Sequence, residues 1–364
     1  SFTYIAAIAA QQARSDWALD YKSGKVYVFI TQDDGDTWTL TQTLNGEDYW
    51  LDPTVSGGIR FGWPTIALKS NDSLDNILAV SAALHNSVFI FSADSYDSSW
   101  SIVDTLHDPG PYGDLSGNPN GGGFAVNYMT RFGNGLAIDG SFILVGAPGD
   151  NTDSTTFSAD PSYGGAAYLF KETSDPSWNL YQSLSSFDIS NGDRFGVSCS
   201  IDGGLCVIGC PVNRDADISG SAYVFKGTND TSWNQTANLT DYLEPIHIGS
   251  ATDRPYFGSD VAIKNNIILI ASQYDDWISP GNLVGSISIF SSSDEGLSWP
   301  QIRNLSSLNP TNNNRFGGED IALSEKYAVA GESEYFSGST DSSGHVFIIP
   351  QSLIVDTTSD ISNA

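Results

Sequence analysis

Basic side chains are scarce in this sequence: 15 Lys and Arg stand against 43 Asp and Glu, for a formal net charge of −28. A surface this acidic repels nucleic-acid phosphates and anionic lipid head groups, which excludes both as partners. Cysteine is almost absent. Cys199, Cys206 and Cys210 fall within twelve residues of one another, and an odd, clustered set is not a disulfide framework. No apolar run reaches the ~18 residues of a membrane-spanning helix, which excludes direct insertion by helices. The N-terminal SFTYIAAIAA has no basic flank, so any secretion signal is expected upstream of it. Helical periodicity is missing along the whole chain. HExxH, phosphate-loop and GxSxG motifs are missing too, and His85, His107, His247 and His345 stand singly.

Turns and aromatics are plentiful, with 36 Gly and 12% aromatic residues, as in chains built from many short strands. Their arrangement is periodic. Phe-Gly recurs at Phe61-Gly62, Phe132-Gly133, Phe195-Gly196, Phe257-Gly258 and Phe316-Gly317, at spacings of 71, 63, 62 and 59 residues. Arg60, Arg131, Arg194 and Arg315 precede four of the five copies. Each copy is followed by an apolar run ending in small residues, such as ILVGAP (143–148) and CVIGCP (206–211). Next comes Gly or Asn with an alternating strand, such as GAAYLF (165–170) and GSAYVF (220–225). A Trp with a downstream Leu closes the unit, as in Trp178–Leu184 and Trp233–Leu239.

Four short strands per unit, A to D, repeated about every 60 residues, predict an all-β chain folded as a single β-propeller of four-stranded antiparallel blades. Six units are counted, about 1–44, 60–106, 131–184, 194–239, 256–305 and 315–353, and a seventh is left open. The propeller spans 1–355, with a Pro- and Gly-rich insertion at 107–128 and a tail at 356–364. The first unit lacks strand A. SLIVDTT (352–358) is expected to be strand D of the last unit or strand A of the first. The small residues are expected where blade backbones crowd together. Asp139-Gly140 and Asp202-Gly203 are read as type I′ turns between A and B. That turn would set Cys199 opposite Cys206, within reach of a cross-strand disulfide. Two buried thiols are the alternative, and Cys210 reads as a small buried residue.

These elements resemble the FG-GAP repeat family, which includes the integrin α-subunit propellers. DRFGVSCSIDGGLCVIGCPVNRDADISGSAYVFKGTNDTSW (193–233) is most similar to the short-hairpin members found in microbial surface proteins. The resemblance implies extracellular adhesion, ligand recognition or scaffold assembly, generally without catalysis. The integrin-type calcium loop between A and B has no counterpart in units three and four, where two-residue turns stand.

TQDDGDTW (31–38) and SSDEGLSW (292–299) resemble the Asp-box of sialidases, which raises the question of sugar cleavage. Degraded copies end at Trp100, Trp178 and Trp233, so the box recurs once per unit as a fold-making turn should. A sialidase-like site would need three Arg gripping a carboxylate, and four of the eight Arg are spent on the Phe-Gly repeat. Metal chemistry has its best candidate in Asn213, Asp215 and Asp217, which alternate before Gly220 as oxygen ligands for calcium would. The loop at 149–160 is similarly acidic, and a solvated polar loop is the plainer reading of both. Five sequons, at Asn71, Asn229, Asn234, Asn238 and Asn304, are compatible with a secreted glycoprotein.

The sequence therefore predicts a non-catalytic binding or assembly module, outside the cell or on its surface, with a protein or glycan partner. A lectin-like propeller, calcium-aided or not, is the alternative. A sialidase-like glycoside hydrolase is the weakest reading.

Overall fold

The computed structural model of the protein describes residues 3–10, 24–49, 60–70, 76–95, 98–110, 130–150, 164–173, 177–190, 192–212, 220–228, 232–241, 256–274, 284–307, 315–318, 320–333 and 344–355. It is an all-β propeller fold of six antiparallel blades. The chain divides into two compact units, 1–161 with 165–183 and 162–164 with 184–364. The first unit holds three blades: β1 (Tyr4–Ala10), β2 (Lys25–Thr31) and β3 (Thr39–Asn45); β4 (Ile66–Lys69), β5 (Asn76–Ala82), β6 (Ser87–Ala93) and β7 (Ser101–His107); β8 (Leu136–Asp139), β9 (Phe142–Ala147), β10 (Ala166–Glu172) and β11 (Trp178–Leu184). In the second unit are β12 (Cys199–Asp202), β13 (Leu205–Cys210), β14 (Ser221–Thr228) and β15 (Ser232–Leu239); β16 (Phe257–Lys264), β17 (Ile267–Ser272), β18 (Ser286–Ser291) and β19 (Gln301–Ser306); and β20 (Ile321–Leu323), β21 (Tyr327–Ser333) and β22 (Gly344–Pro350).

Among the described residues blade one has no strand A, as its sequence implied, and blade six has no strand D. The expected strand at 352–358 is corrected. Gln351–Val355 form a short helix, α1, which closes on β21 through Gln351 N–H donating to Lys326 O at 2.8 Å and buries Ile354. Pro350 has no N–H to extend the ladder, and a helical turn brings Ile354 into the core between blades five and six.

The Phe-Gly repeat is a backbone device. All five Phe are buried, and each Gly has positive φ, between 73° and 97°. The residue before each Phe (Arg60, Arg131, Arg194, Tyr256 or Arg315) is also left-handed. The paired left-handed residues turn the chain so that Phe drops into the core while the Gly N–H reaches a small residue of strand B. Gly133 donates to Gly146 O at 2.9 Å, and Gly196 to Gly209 O at 3.0 Å. The small pair is needed where blades four and five approach, because a Cβ on Gly209 would strike the carbonyl of Gly258. A bulge recurs in four blades at the same step of the C–D ladder, one residue before a Phe of strand C: Val28/Phe29, Ile90/Phe91, Val224/Phe225 and Ile289/Phe290.

The A–B turn of blade four is one residue later than its sequence suggested. Asp202 pairs with Leu205, so Gly203 and Gly204 are the central residues, with φ of 57° and 83°. Two glycines adopt the doubly left-handed turn at lower cost than Asp-Gly does. Cys199 is then opposite Ile208 and Cys206 opposite Ile201, so the disulfide expectation is corrected. All three cysteines are free thiols, and burial pushes their pKa values up. In blade three Asp139 pairs with Phe142, again one residue beyond the expected register. Blade five makes its turn with Asn265 and Asn266, at φ of 50° and 62°.

Candidate functional site

The two intact Asp-boxes are turns closed by their own carboxylates. Asp33 accepts Thr37 N–H at 2.9 Å and the Thr37 and Thr31 hydroxyls at 2.5 and 2.6 Å. Asp294 repeats this with Ser298 N–H at 2.8 Å, Ser298 Oγ at 2.5 Å and Ser292 Oγ at 2.8 Å. These bonds, led by the hydroxyls, hold both carboxyls down at about 2. Every oxygen of both aspartates points back into its own turn, which is a structural use of the carboxylate.

The A–B turns of blades three to five have two central residues each and do not fit an integrin-type calcium loop. Of the Arg residues before Phe-Gly, Arg60 lies 5.6 Å from the Trp63 ring centroid and Arg315 lies 5.1 Å from that of Tyr274. Polar side chains also fasten blade to blade inside each unit. In the first, Gln42 bonds both backbone groups of Trp100, and Asp104 accepts Trp178 N–H at 2.7 Å. In the second, Asp202 takes Lys264 Nζ at 2.7 Å and Asn265 N–H at 2.9 Å, while Asp260 takes Ile321 N–H at 2.7 Å. Solvent still reaches part of Asp260, but its carboxyl is pushed up to about 7 by burial, and neighbouring Asp320 adds to the rise.

One cluster differs from these. Asp108 follows the outer strand of blade two, Thr130 precedes the Arg-Phe-Gly of blade three, Asp150 follows strand B and Tyr168 lies on strand C. The four are 5%, 2%, 0% and 2% exposed. Tyr168 Oη donates to Asp150 Oδ2, and Gly110 N–H donates to Asp108 Oδ1 at 2.8 Å. Thr130 and Tyr168 face the Asp108 carboxylate, yet Asp108 Oδ2 and Thr130 Oγ1 have no hydrogen-bond partner. Burial raises the Asp108 carboxyl above its usual range and drives the Tyr168 phenol up as well. The sequence marks the acidic loop at 149–160, which contains Asp150, but gives no sign of Asp108, Thr130 and Tyr168. No local motif joins them; they meet only because blade two packs on blade three.

The sequence-predicted calcium residues Asn213, Asp215 and Asp217 lie outside the described residues, as do Asn71, Asn229, most of the 107–128 insertion and the tail. Among the described residues no group of three or more His, Cys, Asp or Glu is placed to hold a metal. Asn234 and Asn238 are exposed on the outer strand of blade four. Asn304 is half-buried, with its amide between Gln301 and Asp241.

An FG-GAP repeat model matches residues 178–225, from the outer strand of blade three to strand C of blade four. No curated protein matches the chain in sequence. Among solved structures, a protein of Bacteroides uniformis provisionally assigned as a 6-phosphogluconolactonase aligns with 95% of this chain and 83% of its own, at 10% identity and a TM-score of 0.51. A similarly assigned protein of Bacteroides fragilis aligns with 90% of this chain and 79% of its own, at 12% identity and a TM-score of 0.48. At such identities the likeness to the first is one of fold alone. The chain is thus a β-propeller that carries an FG-GAP repeat at residues 178–225, and the same left-handed Phe-Gly turn opens blades two to six.

Proposed function

We propose that the chain is a non-catalytic binding and assembly module, working outside the cell or on its surface and engaging a protein partner. The observation that carries this reading is where its apolar surface lies. Of eleven large hydrophobic side chains exposed among the described residues, Tyr4, Ile8, Trp38 and Leu40 are in blade one and Tyr327, Val346 and Ile348 are in blade six. These are the two three-stranded sheets, and Val346 and Ile348 on the edge strand β22 are 70% and 66% exposed. Exposed apolar side chains on a sheet edge favour pairing with another chain. The location outside the cell rests on the FG-GAP repeat at residues 178–225 and the acidic surface. No helix among the described residues is long and apolar enough to cross a membrane. In that setting Asn234 and Asn238 are, among the described sequons, the ones exposed to carry glycan.

The test joins binding to turnover. The chain is immobilised and probed with solubilised cell-surface proteins and with a glycan array, beside Val346→Asp/Ile348→Asp. The reading expects a protein partner that the double variant loses, and no hydrolysis of 6-phosphogluconolactone above the uncatalysed rate. Selective glycan binding insensitive to the variant moves the chain to the lectin class. Lactone turnover overturns the non-catalytic reading.

A further inference from the structure

We propose that the chain associates head to tail, the open face of blade six in one copy packing on the open face of blade one in a second copy. The inference rests on the assembly role proposed above and names a second copy of this chain as the partner of its apolar surface.

The repeat defines what each face meets. Strand C turns two side chains toward the following blade. Val88 and Ile90 of blade two, Ala222 and Val224 of blade four, and Ile287 and Ile289 of blade five are at most 1% exposed. Each pair lies in a core that contains the Phe of the next Phe-Gly turn: Phe132, Phe257 or Phe316. When GSAYVF (220–225) is aligned with GHVFII (344–349), Val346 and Ile348 are the same pair in blade six. They are 70% and 66% exposed. Cross-strand partners share a face of a sheet. Val346 pairs with Gly331, Ile348 with Val329 and Pro350 with Tyr327, so β21 and β22 present an apolar, uncharged face there.

Blade one has the complementary half. Toward its predecessor a blade turns a middle residue of strand B and the Trp of strand D. Val145 and Trp178 of blade three, and Ile270 and Trp299 of blade five, are buried in cores shared with the blade before. Ile8 is opposite Tyr27, as Val145 is opposite Tyr168 and Ile270 opposite Ser288, so Ile8 and Trp38 are the counterparts in blade one. They are 55% and 46% exposed, and Leu40, paired with Phe29 on the same face, is exposed too.

One chain thus carries an uncovered forward half and an uncovered backward half of the same kind of core. Stacking one on the other continues, between copies, the interface that joins successive blades within each unit. Blade one has no strand A among the described residues and no Phe-Gly turn, so this contact has fewer parts than an internal one and should dissociate on dilution. It is heterologous, and each dimer leaves one face of each kind free for growth. With a net charge of −28 the copies repel one another, so added salt should strengthen the association.

Sedimentation velocity of the purified chain, over a concentration series at low and at high salt, tests this. The wild type is expected to associate, and more so at high salt. Val346→Asp/Ile348→Asp and Ile8→Asp/Leu40→Asp should each be monomeric, with urea midpoints near that of the wild type because all four side chains are exposed. Mixed together, the two variants retain one intact face each and should form a dimer that grows no further. Association that either variant retains alone, or a mixture that stays monomeric, overturns head-to-tail packing. A monomeric wild type that still captures a cell-surface protein through Val346 and Ile348 overturns this inference and leaves the proposed function standing. A monomeric wild type that captures nothing overturns both.

Discussion

The two Asp-boxes, in blades one and five, share three carboxylate hydrogen bonds and have differently placed tryptophans. Thr31–Asp33–Thr37 and Ser292–Asp294–Ser298 make matching bonds, to which Leu297 N–H adds one on Asp294 at 3.1 Å, yet Trp38 is 46% exposed and Trp299 is 6% exposed. The carboxylate therefore shapes the turn locally, and burial of the Trp is decided elsewhere. Trp299 joins the core shared by blades four and five, its box glycine Gly296 rests on Leu205, and Lys226 Nζ donates to Glu295 O at 2.7 Å. Trp100 and Trp178 likewise join cores shared with the preceding blade. Trp38 belongs to the first blade of its unit, which has no preceding blade there. The box is thus a turn that presents a Trp, and the neighbouring blade turns that presentation into stability.

Removing the rings breaks this comparison most sharply. Trp299→Ala should cost about 3–5 kcal/mol, the range for a buried Trp, and Trp38→Ala about 1 kcal/mol or less. Urea midpoints of the two variants measure it, and equal losses would show that Trp38 is packed. The glycines sharpen the contrast one step down. Gly35 and Gly296 are both left-handed, at φ of 100° and 84°. A Cβ on Gly35 meets nothing, whereas one on Gly296 meets Leu205 Cδ2 at 2.6 Å. Gly35→Ala therefore carries only the backbone strain, ~1–2 kcal/mol. Gly296→Ala adds displacement of Leu205 and should exceed it in the same measurement.

Such differences mark the limit of what the sequence makes legible. Phe-Gly, the small residues of strand B and the Trp of strand D could be read because each copy uses the same residue types for the same job. The left-handed residue before Phe was half-visible: Arg recurs there, but Tyr256 takes the same conformation, so chemistry hid a backbone rule. The A–B turn of blade four was misplaced because Asp202-Gly203 and Gly203-Gly204 overlap and both suit a type I′ turn. A one-residue change of turn moved the partner of Cys199 from Cys206 to Ile208. The Asp108 cluster could not be read at all, since its members span sixty residues and meet only through blade packing. Exposure of Trp38 was hidden for the same reason, because its box is as complete as that of Trp299.

A third contrast sets Asp260 against the box carboxylates. Its pKa rises from 3.8 to about 7 on folding, so the native state keeps a proton that the unfolded chain has lost. Its contribution to stability is thus greatest below 3.8 and declines as the pH rises through 7. Asp260→Asn imitates the protonated form and should flatten stability between those pH values, as read from urea midpoints along a pH series relative to wild type.

The box carboxylates should show the smallest effect and the opposite sign. Folding lowers Asp33 and Asp294 from 3.8 to about 2, so their bonds stabilise fully above 3.8 and are lost as the pH falls towards 2. Asp33→Asn and Asp294→Asn should each lower the urea midpoint at neutral pH and converge on wild type in acid. Both carboxylates share three bonds and Asp294 has one more, from Leu297 N–H at 3.1 Å, so the two decrements should be similar, with Asp294→Asn slightly the larger, although the tryptophans beside them differ several-fold in value. A difference as large as that between the tryptophans would mean that the packing of blade five on blade four reaches into the turn itself, and the separation between a local turn and a blade-borne Trp would fail.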